Sequence, residues 1–168
     1  MLLELIPSDA SSPLSVSERD LAALAACERG TILLDVSARA DATLMALTGT
    51  NGRIALELRG GRLYGEQVLG ADGSPAAGPQ AGDGVERRVL DAEDALGLDD
   101  GRPHTIALSV NETGTHLYAD GYECFSTTLT AFLAQIGLTG VSIDPDGIAE
   151  VTRLAAWAEP LSDRAVMA

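Results

Sequence analysis

The stretch from Pro103 to Thr127, PHTIALSVNETGTHLYADGYECFST, constrains the fold more than any other part of the chain. Apolar residues alternate with polar ones at its start, turn-forming residues occupy positions 111–114, and Asp120-Gly121 is typical of a two-residue hairpin loop. A second strand over Thr115–Ala119 and a third over Tyr122–Ser126 follow from these turns. The stretch therefore predicts a three-stranded β-meander, and the rest of the chain is expected to build on the sheet that contains it.

Short apolar runs separated by turn residues continue over most of the chain. Strands are predicted at 2–6, 31–37, 43–47, 53–59, 85–90, 139–143 and 149–158, with a return strand that carries Leu63 and Tyr64. A capping box at Ser15 and Glu18 predicts a helix over Val16–Cys27. The segment 129–136 fits a short helical turn or an irregular strand, and the Gly/Pro/Ala-rich segment 70–84 fits a long surface loop.

This pattern of about ten short strands with one early helix predicts an all-β fold. We expect a two-sheet antiparallel jelly-roll sandwich with one short N-terminal helix, formed as a single domain over residues 1–168.

The charge balance narrows the range of partners. The chain has 25 acidic and 11 basic residues, a net charge of -14, and every basic residue is Arg. Nucleic acid and anionic membrane surfaces are therefore unfavourable partners, and Schiff-base chemistry at a Lys is excluded. The sequence contains no P-loop and no G-x-G-x-x-G motif, so no cofactor is predicted. A glycan or a small-molecule ligand remains, and formation of a homo-oligomer stays open.

Two features bear on the compartment. Cys27 and Cys124 have no metal-ligand spacing, and we expect two thiols rather than one disulfide. The N-terminus has no basic region and only a short apolar run, so it does not resemble a signal peptide. The chain is expected to be cytoplasmic, or secreted if a leader has been trimmed.

Several local patterns together resemble a known superfamily. They are the segments Glu28–Leu33, Leu44–Leu47, Leu56–Arg59, His104–Leu108, Leu117–Gly121 and Leu154–Asp163. In this order they resemble concanavalin A-like (laminin-G-like) jelly rolls, over roughly residues 15–164. Within that superfamily the chain is most similar to the sialic-acid-binding lectin module of bacterial sialidases.

The resemblance implies a ligand site on the concave sheet. In those modules an E-x-R strand supplies a Glu and an Arg, which Glu57 and Arg59 match, and a second Arg near the penultimate strand completes the grip on the sialic acid carboxylate. This chain has Asp144-Pro145-Asp146 where the second Arg is expected, and Arg153 lies further along.

The pattern of polar residues predicts a ligand site on the same strand, independently of the resemblance. Arg53, Glu57 and Arg59 share one polar face of a strand, where Arg can donate to a carboxylate or diol and Glu can accept from sugar hydroxyls. His116 and Tyr118 share a face of the second meander strand and could form the floor of a pocket. The alternative for both groups is an ordinary solvated strand face.

Four further residues are assigned structural roles. His104 is expected to pack or hydrogen-bond at a strand start, and Trp157 to anchor the core. Asp144 and Asp146 are interpreted as a turn rather than a Ca²⁺ site, so no metal is predicted.

Two functions remain open. The first is a non-catalytic carbohydrate-binding module that uses the concave sheet. The second is a small enzyme of bacterial specialised metabolism, a cyclase, isomerase or hydrolase, that uses the same face as a pocket. Glu57 and His116 are then the acid-base candidates, because the strand pattern places a carboxylate and an imidazole on neighbouring polar faces.

Overall fold

The computed structural model describes residues 3–6, 14–70, 85–93 and 97–159. Within these residues the elements are, in chain order, β1 (Leu3–Leu5), α1 (Glu18–Ala25), β2 (Gly30–Ser37), β3 (Ala42–Gly49), β4 (Gly52–Arg59), β5 (Arg62–Leu69), β6 (Glu86–Ala92), β7 (His104–Asn111), β8 (Gly114–Ala119), β9 (Tyr122–Thr127), α2 (Leu133–Ile136), β10 (Leu138–Ile143) and β11 (Glu150–Trp157).

The strands form two antiparallel sheets. One has six strands in the order β1-β11-β2-β7-β8-β9, and the other has five in the order β10-β3-β4-β5-β6. The predicted two-sheet jelly-roll sandwich is confirmed, and the meander forms β7, β8 and β9 at one side of the six-stranded sheet. The core lies between the sheets and includes the fully buried side chains of Leu34, Ile54, Leu108 and Phe132.

Helix α1 is shorter than predicted at both ends. Its N-cap is Ser17, not Ser15, and the Ser17 hydroxyl accepts a hydrogen bond from the Asp20 amide at 3.2 Å. The Ser15-Glu18 spacing suggested a cap, but Ser17 satisfies an otherwise unpaired amide of the first turn, so the helix begins after it. Helix α2 is the short helical turn that the sequence left open, and it ends at Gly137 in the left-handed conformation (φ 64°).

Strand β4 follows the alternation that its sequence predicts. Ile54, Leu56 and Leu58 are buried between the sheets, whereas Arg53 and Glu57 alternate with them on the outer side. Each outward side chain of β4 therefore belongs to the outer face of the five-stranded sheet. The same rule fixes the outer faces of the neighbouring strands through the register.

Trp157 does not anchor the main core. The register pairs Ala156 with the inward-facing Ile32, so the next residue of β11 must point to the outer side of the six-stranded sheet. There Trp157 packs against a small cluster of Leu33, Ala107 and Tyr118. The expectation of a core anchor was wrong because the apolar side chain was assigned to the core without regard to its strand parity.

The two cysteines lie on different elements. The Cys27 thiol, just after α1, donates to the carbonyl oxygen of Ala23 at 3.5 Å, and the Cys124 thiol on β9 donates to that of Leu117 at 3.5 Å. Burial raises the pKa of the Cys27 thiol. No helix in the described part of the chain has the length and apolar character to cross a membrane.

Candidate ligand-binding face

The outer face of the five-stranded sheet presents side chains in rows across its strands. In the first row Thr48, Arg53, Val68 and Arg87 are direct cross-strand neighbours, and in the second row Ala46, Ala55, Glu66 and Val89 follow. Directly opposite residues of antiparallel strands share a face, so each row lies on the same surface.

The remaining rows lie at the other end of β4. Glu57, Tyr64 and Asp91 are neighbours in the third row, and Arg59 faces Arg62 in the fourth. Charged side chains therefore occur in all four rows, and the small side chains of Ala46 and Ala55 lie side by side in the second row.

A depression with a volume of about 320 Å³ opens on this face. Its lining includes Ala46, Thr48, Arg53, Ala55, Glu57, Arg59, Tyr64, Glu66 and Arg87. Three arginines and two glutamates among these residues give the depression a net positive charge, although the chain as a whole carries -14. This surface therefore suits a polar or anionic group better than the rest of the protein does.

At one end of the depression, Glu57 and Arg59 form an ion pair with 2.5 Å between Glu57 Oε1 and Arg59 Nε. The Arg59 guanidinium also lies over the ring of Tyr64, with Cζ 4.0 Å from the ring centroid. This contact covers one face of the ring and fixes the direction of the guanidinium. A ligand at this end of the depression therefore contacts the Arg59 guanidinium and the Glu57 carboxylate rather than an uncovered face of the Tyr64 ring.

At the other end, Glu66 joins two arginines. Its Oε1 accepts from Arg53 Nε at 2.9 Å, and its Oε2 accepts from Arg87 Nε at 2.7 Å and from Arg87 Nη2 at 2.5 Å. Arg53 Nη2 also contacts Oε1. Burial raises the pKa of the Glu66 carboxyl, but the hydrogen bonds from Arg87 and Arg53 outweigh it and hold that pKa below its usual value.

Sequence reasoning found Arg53 but missed Glu66 and Arg87. Glu66 follows the predicted strand residue Tyr64 at a spacing of two, so strand parity alone could have placed it on the same face. Arg87 needed the pairing of β5 with β6, which no local pattern reveals.

The structure separates the predicted site residues into two groups. Arg53, Glu57 and Arg59 lie together on the five-stranded sheet, whereas His116 and Tyr118 lie on β8 in the six-stranded sheet. There His116 Nδ1 contacts Glu123 Oε1, His116 Nε2 lies 3.1 Å from Thr113 Oγ1, and Tyr118 is buried. The expectation that Glu57 and His116 occupy neighbouring faces was wrong, because alternation assigns a residue to a face of its own sheet but not to a sheet.

His104 has the hydrogen-bonding role that was predicted. Its Nδ1 lies 2.7 Å from Asp120 Oδ2 and its Nε2 lies 2.8 Å from Asp100 Oδ1. Asp120 Oδ1 also accepts from the Thr105 amide at 3.0 Å. The ring therefore ties the start of β7 to the β8–β9 turn, on the six-stranded sheet and away from the depression.

Asp144 and Asp146 form the turn that was expected. The Gly147 amide donates to the Asp144 carbonyl at 3.0 Å, and Asp146 Oδ2 accepts from the Thr43 amide at 3.0 Å. Burial raises the pKa of the Asp144 carboxyl, whereas the bond from Thr43 lowers that of Asp146. Among the described residues, no group of three or more His, Cys, Asp or Glu side chains could hold a metal ion.

Comparisons with known proteins return solved structures alone. No family model matches the chain, and no curated protein matches it. The CBM40 of the Ruminococcus gnavus IT-sialidase superposes with a TM-score of 0.70 at 17% identity, over 99% of this chain and 97% of that one. The NanB sialidase from Streptococcus pneumoniae gives 0.68 at 16%, and the leech intramolecular trans-sialidase gives 0.66 at 15%.

Coverage shows which part of each protein is alike. This chain is covered to 99% by both sialidases, of which it spans 27% and 28%. It spans nearly all of the CBM40 structure. The chain therefore has the jelly-roll fold that these sialidases carry as one part, and the resemblance seen in the sequence is confirmed for the fold.

Proposed function

We propose that the protein is a non-catalytic carbohydrate-binding module that recognises a glycan on the outer face of its five-stranded sheet. The observation that carries the proposal is the depression that contains the Glu57-Arg59 pair of the E-x-R strand. Arg can donate to sugar hydroxyls or a carboxylate while Glu accepts from hydroxyls, so the pair supplies complementary polar contacts. The R. gnavus CBM40, which shares the fold, was solved bound to α2,3 sialyllactose.

The enzyme alternative has no comparable support. Its acid-base pair required Glu57 and His116 to face one ligand, and these residues lie on different sheets. Glu57 is held by Arg59 and His116 by Glu123, so each is engaged within its own surface. Binding without turnover is the function that this geometry favours.

The test is an Arg59→Ala variant with a matched control. The variant lacks a charge-assisted hydrogen bond from Arg59 to the ligand, which contributes on the order of 1.5–3 kcal/mol, so affinity should fall at least about tenfold. Arg29→Ala is the control, because its side chain is 55% exposed against 56% for Arg59 and is also paired with one glutamate, Glu112. It lies outside the depression and should leave affinity unchanged.

Calorimetry against sialyllactose, lactose and chitotetraose gives the affinities, and thermal melting checks the folding of both variants. Equal affinities for Arg59→Ala and Arg29→Ala would remove the Glu57-Arg59 end from the site. No binding to a wide glycan array by the parent protein would reject the carbohydrate-binding function itself.

A further inference from the structure

The Arg53-Glu66-Arg87 cluster has the geometry of an oriented pair of donors. Each guanidinium turns its Nε edge to a different oxygen of Glu66, so both carboxylate oxygens are used. The Nη2 atom of each arginine also contacts Glu66, whereas the Nη1 atoms of Arg53 and Arg87 have no hydrogen-bond partner among the described residues. Two donor groups are therefore held at fixed angles without being saturated.

The cluster is also unbalanced in charge. One carboxylate lies between two guanidinium groups, which leaves one positive charge in a chain of net charge -14. Glu66 is only 16% exposed and Arg53 20% exposed, so water screens this charge less than it would screen a fully exposed pair. An oxyanion that reaches the solvent side of the cluster can neutralise it.

The two charged ends of the depression lie on neighbouring rows of the sheet. The backbones of Arg53 and Arg59 lie six positions apart on β4, about 20 Å along a strand. Their side chains turn toward each other, because Arg53 bonds to Glu66 in the second row and Arg59 pairs with Glu57 in the third. The small side chains of Ala46 and Ala55 line the depression along with them. The two ends therefore belong to one binding surface, and a single glycan can contact both.

We propose that Arg53 and Arg87, oriented by Glu66, form an oxyanion subsite that receives a carboxylate or sulfate group of an acidic glycan. This inference rests on the proposed carbohydrate-binding function, in which the Glu57-Arg59 end contacts another part of the same ligand. Glu66 is a positioning residue, because its carboxylate fixes the guanidinium groups rather than contacting the oxyanion.

The first test removes one donor group. Arg87→Gln should weaken binding of a chondroitin sulfate or hyaluronan tetrasaccharide at least about tenfold, because a charge-assisted contact is lost, and should leave binding of neutral chitotetraose unchanged. Loss with both acidic ligands assigns the carboxylate to the subsite, whereas loss with chondroitin sulfate alone assigns the sulfate.

The matched control is Arg88→Gln. Arg88 lies on the same strand and is paired with Glu86, but its cross-strand neighbour is the buried Gln67, so it is on the opposite side of the sheet from Arg87. It removes the same charge and should change no affinity. An equal loss of affinity in Arg87→Gln and Arg88→Gln would show that the effect comes from net charge alone, and it would overturn the subsite.

A Glu66→Gln variant separates positioning from simple charge. It removes a negative charge beside the subsite, so if Glu66 only competed with the ligand, binding of the acidic tetrasaccharides should tighten. If Glu66 orients the two arginines, binding should weaken several-fold despite the more positive surface. Tighter binding would therefore refute the positioning role.

An independent measurement keeps this inference apart from the proposed function. Sodium glucuronate, with glucose as the neutral control, is titrated while the Arg Nε–H signals are followed by NMR. Glucuronate should shift the Arg53 and Arg87 signals, and the shift should disappear in Arg87→Gln, whether or not any tetrasaccharide binds. Absence of a shift would overturn the subsite, and retained glycan binding at the Arg59 end would leave the carbohydrate-binding function intact.

Discussion

His104→Gln should lower the free energy of unfolding at acidic pH, because it removes the hydrogen bond between the protonated His104 ring and Asp120. The imidazole is 14% exposed, and its Nδ1 lies 2.7 Å from Asp120 Oδ2. A hydrogen bond between charged groups contributes about 1.5–3 kcal/mol, and the lower end applies here because Asp120 is half exposed. The Asp100 carboxylate remains hydrated after the change, so the expected loss is about 1.5 kcal/mol, or about 3–6 °C in Tm for a chain of this size.

The pH dependence of this loss has a defined sign. Burial of the His104 ring lowers its pKa, but the hydrogen bonds to Asp120 and Asp100 raise it by more, so the pKa in the folded protein lies above the ordinary value. Protonation therefore stabilises the folded state. The contribution is fully present below the unfolded pKa of about 6.5 and is lost as the pH rises through the folded pKa.

Urea unfolding of the parent protein and His104→Gln at pH 5.5, 7 and 9 measures the difference directly. The gap in free energy of unfolding should be largest at pH 5.5 and should shrink as the pH rises. Asp120→Asn should lower the His104 pKa measured by NMR, since it removes a partner of the charged ring. A gap that is constant or grows with pH would refute the assignment of a stabilising imidazolium.

Two further predictions concern the core and the cysteines. Among the described residues Phe132 is the largest fully buried side chain, so Phe132→Ala should lower the free energy of unfolding in urea by about 3–5 kcal/mol. Phe132→Leu should lower it by less, and equal losses would argue against a packed site. In thiol titration of the native protein, Cys27 should react more slowly than Cys124 because burial raises its pKa. Thiol titration of the unfolded, unreduced protein should find two free thiols, and finding none would reveal a disulfide.

The fold could be predicted from the sequence where local signals determine the pairing. The Asp120-Gly121 hairpin and the turn at 111–114 join strands that are neighbours in the chain, so the meander followed directly from its residues. The placement of β11 between β1 and β2 is different, because it pairs Leu3 with Ala156. Such long-range pairing depends on the packing of the whole chain, which no window of sequence contains.

The candidate site divides in the same way. Strand parity placed Arg53, Glu57 and Arg59 on one face, because these residues lie on one strand. Parity could not say that β4 and β8 belong to different sheets, and this produced the wrong grouping of His116 with Glu57. The contact of Arg87 with Glu66 depends on the β5–β6 register, which is set across the long segment that separates these strands.

If the oxyanion subsite exists, its affinity should depend weakly on salt, because two electrostatic effects oppose each other. A chain of this length has a radius that places a surface ligand about 20 Å from the centre of charge, where a net charge of -14 repels an anion. The Debye length falls from about 30 Å at 0.01 M to about 8 Å at 0.15 M, so salt removes most of this long-range repulsion. Contacts to Arg53 and Arg87 act over a few Å, so salt weakens them less. The binding free energy lost from these contacts and the free energy gained from reduced repulsion are both on the order of 1 kcal/mol.

Calorimetry with the hyaluronan tetrasaccharide between these salt concentrations should therefore show a change in affinity below about threefold. A steep loss of affinity with salt, as in binding to an extended basic surface, would mean that the anion is held by a diffuse field rather than by the oriented arginine pair.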